Sequence, residues 1–389
     1  MPKEKQNEVS LPFHIQCLKP FLAMEIMERA QQLEAAGKHI IHLEIGEPDF
    51  DTPLRIKEAC MRSLQETRPR YTHSLGLLEL RETICEHYFE KYGVVITPDR
   101  VVITSGTSPA MLLICSVLLN RGDEVLLPDP HYPCYPNFLC YVGAQPRYVN
   151  VDEQDGFQYT FDKVRQALTG NTKALIVNSP SNPAGTVISG KILAELSGLG
   201  PCIISDEIYH GLVYGDEKEH SILEYTDNAF VINGFSKLYA MTGWRIGYLI
   251  APLKYMRALQ TLHQNFFISA NSFVQWAALT ALRECQQEVE EMKALYNERR
   301  RVLLNGLRAL GFGIAVEPTG AFYILANAKR FGENSLKLAY DILENAGVGC
   351  TPGIDFGKNA EGYLRFTYAN SKENIEEALQ RMKGYLIFY

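Results

Sequence analysis

Seven short apolar runs lie between about residues 101 and 251 and set the expected architecture. They are residues 101–103, 125–127, 148–151, 174–177, 202–204, 230–232 and 246–250. The runs are rich in β-branched residues and nearly continuous, which is typical of strands buried on both faces of a parallel sheet. Stretches long enough for helices or loops separate them. We therefore predict an α/β fold whose mostly parallel seven-stranded sheet is sandwiched by helices.

The pattern changes in the last third of the chain. After Asn271 it is helical over a long span, and Gly311 is the expected stop. Strands at 321–325 and 362–366 with a helix near 335–346 between them predict a smaller α+β unit. We expect a large domain over residues 49–300 and a small domain that combines 1–48 with 301–389. The pattern does not decide whether the helix predicted near 24–36 packs with the small domain.

Composition narrows the classes of protein that fit. The 389 residues favour about two domains, and 46% hydrophobic with 21% charged residues is ordinary for a globular protein. A net charge of -7 without a long basic run argues against nucleic acid or an anionic membrane surface as the main partner. No apolar stretch approaches the roughly 20 residues of a membrane-spanning helix. The polar first ten residues lack the apolar core of a signal peptide, so we expect a cytoplasmic protein.

The nine cysteines are scattered along the chain and form no CxxC pair. A disulfide framework or a zinc site would need closer grouping. We therefore expect buried, reduced thiols in a reducing compartment, and no bound metal.

The loop from Thr104 to Pro109 follows a predicted strand and precedes an apolar helix expected over 110–119. Ser108 can cap that helix, and Pro109 suits its first turn. Free N–H groups and the helix dipole at such a terminus attract an anion, and Gly106 would let the backbone approach a phosphate. An ordinary capped core helix is the alternative. The loop has neither the Gly-Lys-Ser/Thr of a P-loop nor a GxGxxG pattern.

Two further strand ends carry polar residues. Two prolines and a glycine in 178–186 fix a loop from which the Asn182 amide could donate to a ligand; an ordinary turn is the alternative. Asp206 ends the next run, where an acid could cap a helix, bind a metal or pair with a protonated heterocyclic nitrogen. No cluster of histidines or carboxylates supports the metal. Tyr209 lies about one helical turn further on, if a helix starts there.

Two cations stand in apolar surroundings. Lys237 lies between two apolar stretches, and a desolvated lysine, or one beside other cations, becomes a usable nucleophile. Ser236 and Arg245 could both bind one phosphate. An exposed loop charge is the ordinary alternative for a lone lysine. Arg365 lies within an apolar strand and needs an anionic partner, either a structural carboxylate or that of a substrate.

Together these segments resemble the class I and II aminotransferases, which are pyridoxal-phosphate enzymes of fold type I. The resemblance runs in order from Ile-Gly-Glu-Pro-Asp-Phe at 45–50 to Arg365, nearly the whole chain. Its most specific parts are Ser-Pro-Ser-Asn-Pro-Ala-Gly at 179–185, Ser-Asp-Glu-Ile-Tyr at 205–209, and Ser-Lys at 236–237 with Gly-Trp-Arg-Ile-Gly at 243–247. It implies an enzyme that moves an amino group between an L-amino acid and a 2-oxo acid.

The resemblance also implies roles for the matching positions. Lys237 would hold pyridoxal 5′-phosphate as a Schiff base and then move the substrate proton. Asp206 would keep the ring nitrogen protonated, so that the ring accepts electrons. Asn182 and Tyr209 would hydrogen-bond the ring oxygen, and Tyr132 would stack on the ring.

Binding of the phosphate and the substrate is implied in the same way. The positions that match the family's phosphate contacts are Gly106, Thr107, Ser236 and Arg245. Arg365 and the Gly46 backbone, with Asn182, would hold the substrate α-carboxylate. Tyr71 resembles a tyrosine that reaches the phosphate of the neighbouring subunit, which implies a homodimer with shared active sites.

The substrate and some alternatives stay open. Relatives that act on aspartate often have a lysine where this chain has Ser108, and the stretch 263–268 is more apolar than a dicarboxylate site suggests. A small apolar or aromatic substrate side chain is therefore the hypothesis. A β-eliminating lyase or an aminocyclopropane-carboxylate synthase would share the fold and most of these residues. A regulatory relative usually carries an extra DNA-binding domain, for which 389 residues leave no room, and a nicotinamide dehydrogenase would need the missing glycine fingerprint.

Overall fold

The computed structural model describes residues 11–66 and 69–387. In these ranges the α-helices are α1 (Phe13–Gln16), α2 (Leu22–Ala35), α3 (Leu54–Glu66), α4 (Leu78–Tyr92), α5 (Thr107–Leu118), α6 (Cys134–Tyr141), α7 (Phe161–Ala167), α8 (Gly190–Ser197), α9 (Leu253–Phe266), α10 (Ser272–Glu284), α11 (Gln286–Leu310), α12 (Ser335–Ala346) and α13 (Lys372–Leu386). The strands are β1 (Ile41–His42), β2 (Val101–Thr104), β3 (Glu124–Asp129), β4 (Gln145–Asn150), β5 (Thr172–Asn178), β6 (Cys202–Asp206), β7 (Ala229–Gly234), β8 (Gly247–Ile250), β9 (Tyr323–Asn327), β10 (Val348–Gly349), β11 (Thr351–Pro352) and β12 (Tyr363–Thr367).

Strands β2 to β8 form one seven-stranded sheet in the order β2-β8-β7-β6-β5-β3-β4. Neighbouring strands are parallel except at β8, which runs antiparallel to both β2 and β7. Each of the seven apolar runs overlaps one of these strands. The predicted α/β class and its mostly parallel seven-stranded sheet are therefore confirmed.

Both faces of this sheet are covered by helices, which explains why its strands are continuously apolar except for the largely exposed edge strand β4. Successive residues of a strand point to opposite faces. In β6, Ile203 belongs to a buried cluster with Ala277 of α10, whereas Ile204 belongs to a second cluster with Ile114 of α5. We call these the α10 face and the α5 face of the sheet.

A smaller antiparallel sheet lies elsewhere in the chain, in the order β11-β12-β9, and β1 pairs with β10. It packs in a third buried cluster that includes Leu303 of α11, Ile342 of α12 and Ile375 of α13. Ile26 of α2 belongs to the same cluster, so the N-terminal helix packs with these elements. The domain boundaries at residues 48 and 300 stay a prediction, and residues 1–10 lie outside the described residues.

Three local predictions need correction. Helix α5 begins at Thr107 with Gly106 as its N-cap, so the predicted cap by Ser108 is wrong. The reason is the φ of +99° at Gly106, which turns the chain into the helix before Ser108 is reached. No helix starts after Asp206, because residues 208–211 form a turn. The long helical span is two helices that meet at Cys285, and the second ends at Gly311 as expected.

Cys17 and Cys140 form a disulfide, with their Cα atoms 6.2 Å apart, and the other seven cysteines are free. The expectation of nine reduced thiols is therefore wrong for this pair. Sequence spacing could not reveal it, because 123 positions separate the two residues and only the fold brings them together. Among the residues described, no helix is long and apolar enough to cross a membrane, and no group of histidines, cysteines and carboxylates could hold a metal ion.

Candidate active site

A cavity of about 330 Å³ opens at the carboxyl ends of β5, β6 and β7. Open α/β sheets bind ligands at this edge. Ten of the twelve residues singled out in the sequence line it: Gly46, Thr107, Tyr132, Asn182, Asp206, Tyr209, Ser236, Lys237, Arg245 and Arg365. Gly106 lies directly behind this lining, and Tyr71 lies outside it.

Lys237 follows β7 and extends its amine into the cavity. Its Nζ donates a hydrogen bond to the carbonyl oxygen of Gly46 at 2.6 Å. Burial lowers the pKa of Lys237 to about 8, an effect that the neighbouring Arg365 and Arg245 reinforce and that Glu47 and Asp206 oppose. An amine with such a pKa is partly unprotonated near neutral pH, as a nucleophile must be.

Asp206 is buried at the last position of β6. Its Oδ2 accepts a hydrogen bond from the Tyr135 hydroxyl at 2.7 Å, and its Oδ1 accepts one from the Ile208 amide at 3.2 Å. Burial raises the pKa of Asp206 to about 6, while these two donors and Lys237 lower it. Tyr135 is not among the residues that the sequence singled out, although it lies only three positions after Tyr132, in the first turn of α6.

The loop after β5 carries Asn182 on the cavity wall. The backbone N–H of Asn182 donates to Asn178 Oδ1 at 2.8 Å, and the side-chain Oδ1 of Asn182 accepts from Arg365 at 2.9 Å. The side-chain amide nitrogen is therefore the end of Asn182 that can donate to a ligand. The hydroxyls of Tyr209 and Tyr323 are 2.8 Å apart, which adds Tyr323 of β9 to the residues that sequence reasoning missed.

Arg365 is a buried guanidinium, with only 2% of its surface exposed. It donates to Asn182, to the Glu44 carbonyl and to Thr351, and it lies 4.4 Å from the ring centre of Tyr323. Its Nε has no hydrogen-bond partner, and within the part of the chain that the structure describes it forms no ion pair with a carboxylate. A buried cation without a counter-charge is costly, so this arrangement favours an anionic ligand.

The start of α5 and Arg245 form a cradle that fits a phosphate. At Gly106 an added Cβ would lie 2.6 Å from Arg245 Nη2, so only glycine allows this approach. Arg245 itself adopts a φ of +52° and donates to the Thr242 carbonyl at 3.0 Å. Thr107 and Ser236 line the same part of the cavity. Together they provide a helix N-terminus, hydroxyls and a guanidinium, the groups that bind phosphate in proteins.

Gly46 and Tyr132 shape the opposite wall. A Cβ at Gly46 would come within 2.1 Å of the Tyr323 hydroxyl, so a side chain there would clash. The ring of Tyr132 makes edge-on contacts with Phe21 and Tyr135, which fix its orientation.

Two predicted features lie away from this cavity. The ring of Tyr71 is 81% exposed and takes no part in the lining. The apolar stretch 263–268 is not part of the lining either, so it cannot report on a substrate bound within this chain. The lining of the cavity does include the apolar residues Phe21, Met24 and Phe138.

The residues present fit a phosphate-bearing aldehyde such as pyridoxal phosphate. Lys237 provides an amine of lowered pKa, and the Gly106 turn with Arg245 provides an anion cradle. Asp206 keeps a carboxylate in reach of a cationic ring nitrogen, and the unpartnered Arg365 Nε favours a carboxylate.

Comparisons with known proteins agree with this chemistry. Residues 38–382 match the family model described as aminotransferase class I and II. The chain is 45% identical to a (5-formylfuran-3-yl)methyl phosphate transaminase of Methanocaldococcus jannaschii, over 94% of this chain and 96% of that protein. It is 38% identical to an aspartate aminotransferase of Pyrococcus horikoshii, over 92% and 93% of the two chains.

Solved structures give the same result. A Methanococcus jannaschii protein, described as similar in its active site to kynurenine aminotransferases, superposes with a TM-score of 0.90 at 43% identity, covering 97% of this chain and 100% of that one. Aspartate aminotransferase of Thermus thermophilus with maleate superposes with a TM-score of 0.92 at 36% identity, covering 96% and 99%.

Proposed function

This chain belongs to the class I and II aminotransferases and moves an amino group between an amino acid and a 2-oxo acid, and we propose that it does so with pyridoxal 5′-phosphate held covalently at Lys237. The observation that carries this proposal is one cavity lined by the Lys237 amine, the buried Asp206 carboxyl and the Arg365 guanidinium, whose Nε has no partner among the described residues. A lyase or synthase of the same fold is the remaining alternative. The relatives described above are aminotransferases or transaminases, which favours amino transfer.

When bound, pyridoxal phosphate supplies a ring that accepts the electrons released as the substrate Cα proton leaves. Asp206 would pair with the ring nitrogen and keep it protonated. The Lys237 amine would act as the base that removes the substrate Cα proton and as the acid that returns a proton. Arg365, with the backbone of Gly46 and the amide of Asn182, holds the substrate α-carboxylate and so fixes which proton faces Lys237.

The remaining lining residues hold the cofactor in place. Thr107, Ser236 and Arg245 would bind the phosphate beside the Gly106 turn and so anchor the cofactor. Tyr132 would stack on the ring, and Asn182 and Tyr209 would hydrogen-bond the ring oxygen. Substrate and cofactor are both anionic, which explains why arginines line a cavity in a protein of net charge -7.

The proposal includes a homodimer in the cytoplasm in which Tyr71 reaches the phosphate site of the neighbouring subunit. The 81% exposure of Tyr71 supports a role outside its own chain. Hybrid dimers that combine a Tyr71→Phe subunit with a Lys237→Ala subunit test this. In such a hybrid the one site that has Lys237 receives an intact Tyr71 from the other subunit, so it should hold the cofactor as wild type does. A Tyr71→Phe homodimer should release the cofactor faster. Equal retention in both would contradict the shared site, and fractionation of cells tests the compartment.

The proposed substrate side chain is apolar or aromatic. Phe21, Met24 and Phe138 line the cavity, and the cationic side chains among the described lining residues are Lys237, Arg245 and Arg365, each with a role already. None of these three is left to pair with a distal carboxylate. A Ser108→Lys variant should therefore gain activity with aspartate, and a wild-type donor panel in which only aspartate and glutamate react would refute the preference.

The central test is a half-reaction screen. The purified enzyme with pyridoxal phosphate should be yellow, and each accepted amino acid should bleach it while releasing the matching 2-oxo acid. Borohydride should fix the cofactor to the peptide that contains Lys237. Release of ammonia and pyruvate instead of stable amino transfer would favour the lyase, and a colourless protein without a fixed adduct would contradict the proposal.

A further inference from the structure

Tyr135 is a buried residue in the first turn of α6 that lines the cavity, and its hydroxyl donates to Asp206. Only 2% of its surface is exposed. Its ring meets that of Tyr132 edge-on, with the ring centres 5.3 Å apart, so both rings are fixed against each other. The 2.7 Å hydrogen bond to Asp206 Oδ2 is therefore made by a donor that cannot easily turn away.

This bond has a fixed direction. Burial raises the pKa of Tyr135 well above its usual value, and the nearby Asp206 raises it further, so the phenol keeps its proton and always donates. Together with the Ile208 amide on Oδ1, Tyr135 fixes both oxygens of Asp206 and hence the plane of the carboxylate. A carboxylate offers about four lone-pair sites, so two donors leave room for a third from a ligand.

Tyr135 also counters the effect of burial on Asp206. Burial raises the pKa of Asp206, and the Tyr135 hydrogen bond is the largest influence that lowers it, ahead of the Ile208 amide and Lys237. Without that bond Asp206 would take up a proton closer to neutral pH. A protonated carboxyl is a poor partner for a cationic nitrogen, because the opposite charge is lost.

Other buried tyrosines of this chain show that a buried tyrosine hydroxyl need not donate a hydrogen bond within the protein. Tyr159 and Tyr296 are buried as deeply, and among the described residues their hydroxyls have no hydrogen-bond partner. We propose that Tyr135 is a positioning residue for amino transfer, whose hydroxyl holds the Asp206 carboxylate charged and aimed at the ring nitrogen of the bound cofactor. This inference rests on the proposed function, since it needs a ligand with such a nitrogen.

The first experiment uses the protein without cofactor. Infrared spectroscopy over a pH series gives the midpoint at which Asp206 loses its proton, with Asp206→Asn to identify the band. In Tyr135→Phe the midpoint should rise by about one to two pH units, the usual worth of a hydrogen bond to a charged group. Tyr159→Phe is the matched control, because it removes a buried hydroxyl that bonds nothing, and its midpoint should equal that of wild type. An unshifted midpoint in folded Tyr135→Phe would overturn the proposal.

A second variant covers the case in which Tyr135→Phe does not fold. Site-specific 3-fluorotyrosine at position 135 keeps the ring and the hydroxyl but makes the phenol a stronger donor. The Asp206 midpoint should then fall below that of wild type. A midpoint that stays the same or rises would contradict the inferred role.

The last experiment uses pyridoxal phosphate with a ¹⁵N-labelled ring nitrogen. In wild type and Tyr159→Phe its solid-state NMR signal should be that of a protonated nitrogen at neutral pH. In Tyr135→Phe the signal should move toward the unprotonated position. A yellow Tyr135→Phe protein with an unmoved signal would overturn the role of Tyr135 alone. Failure of wild type to retain the cofactor would instead count against the proposed function.

Discussion

Two adjacent carboxylates at the end of β6 have different hydrogen-bond partners on the two faces of the seven-stranded sheet. Asp206 and Glu207 are both buried, yet they bond to groups on opposite sides of the sheet. Asp206 lines the cavity and accepts two hydrogen bonds within the chain. Glu207 does not line it, and its carboxylate accepts hydrogen bonds from Ser205, Ser221, Tyr88 and the Ile222 amide.

The difference shows how a structural acid is told from a site acid. The protein supplies Glu207 with three donors on Oε1 and one on Oε2, so both oxygens of this buried carboxylate have partners within the chain. Asp206 keeps capacity for another donor and faces open space. Burial raises both pKa values, to about 6 for Asp206 and about 7 for Glu207, so pKa alone would not separate them. What separates them is whether the protein or a ligand supplies the remaining hydrogen-bond donors to the carboxylate.

The largest expected effect is on the rate, from Asp206→Asn. The amide keeps the shape but loses the charge that pairs with the ring nitrogen, so the rate of amino transfer should fall on the order of a thousandfold. Stability should change little. Steady-state rates and thermal unfolding measure the two, with Glu207→Gln as the matched control, which should keep the rate within about threefold. A Glu207→Gln variant slowed as much as Asp206→Asn would erase the distinction between the acids.

The second effect is on stability, from Glu207→Leu. Leucine would leave the hydroxyls of Ser205 and Ser221 and the Ile222 amide without an acceptor, so the free energy of unfolding should fall by roughly 3 kcal/mol. Glu207→Gln keeps an oxygen for these donors and should lose about 1 kcal/mol. Urea unfolding of the two variants gives the comparison. Equal losses would show that the acceptor oxygen is not what matters.

A third, smaller effect compares two buried arginines. Arg365→Lys removes the planar fork on the cavity side, so KM for the amino acid should rise about tenfold or more while kcat changes less. Arg300→Lys is the control, since Arg300 donates to the Pro318 carbonyl and to Asn297 Oδ1 away from the cavity. It should lower stability and leave KM unchanged. A KM that rises equally in both variants would speak against the substrate role of Arg365.

The fourth effect is a pH dependence. The pKa of Glu207 is about 7 in the folded protein against 4.5 as its ordinary value. Between these values the folded chain holds a proton that the unfolded chain releases, so this group stabilises the fold at low pH and the contribution is lost as pH rises through 7. The difference in urea midpoint between wild type and Glu207→Gln should therefore shrink from pH 5 to pH 8. A difference that grows with pH would contradict the raised pKa.

The fold followed from the sequence because six of the seven strands of the main sheet are largely buried on both faces. Such strands must be continuously apolar, which is a strong local signal. The largely exposed edge strand β4 carried a weaker one, the run 148–151. The polar residues at the strand ends pointed to the cavity for a similar reason, because parallel strands bring their carboxyl ends to one edge. Asp206, Asn182 and Lys237 all line it. Local geometry could still mislead, since a positive φ at Gly106 displaced the expected cap at Ser108.

The sequence by itself thus determined the order of the elements, the edge of the sheet that carries the cavity and the residue types gathered there. The tertiary structure alone decided which side chains complete one another. Tyr135 and Asp206 are 71 positions apart, Tyr209 and Tyr323 are 114 apart, and Cys17 and Cys140 are 123 apart. The hydrophobic period of a strand or helix is set by residues that are neighbours in the sequence. The hydrogen-bond donor to a buried oxygen comes from whichever element packs against it, however distant in the sequence. Packing therefore left Asp206 with room for a donor from a ligand and gave Glu207 its donors from the protein, although the two are adjacent in the chain.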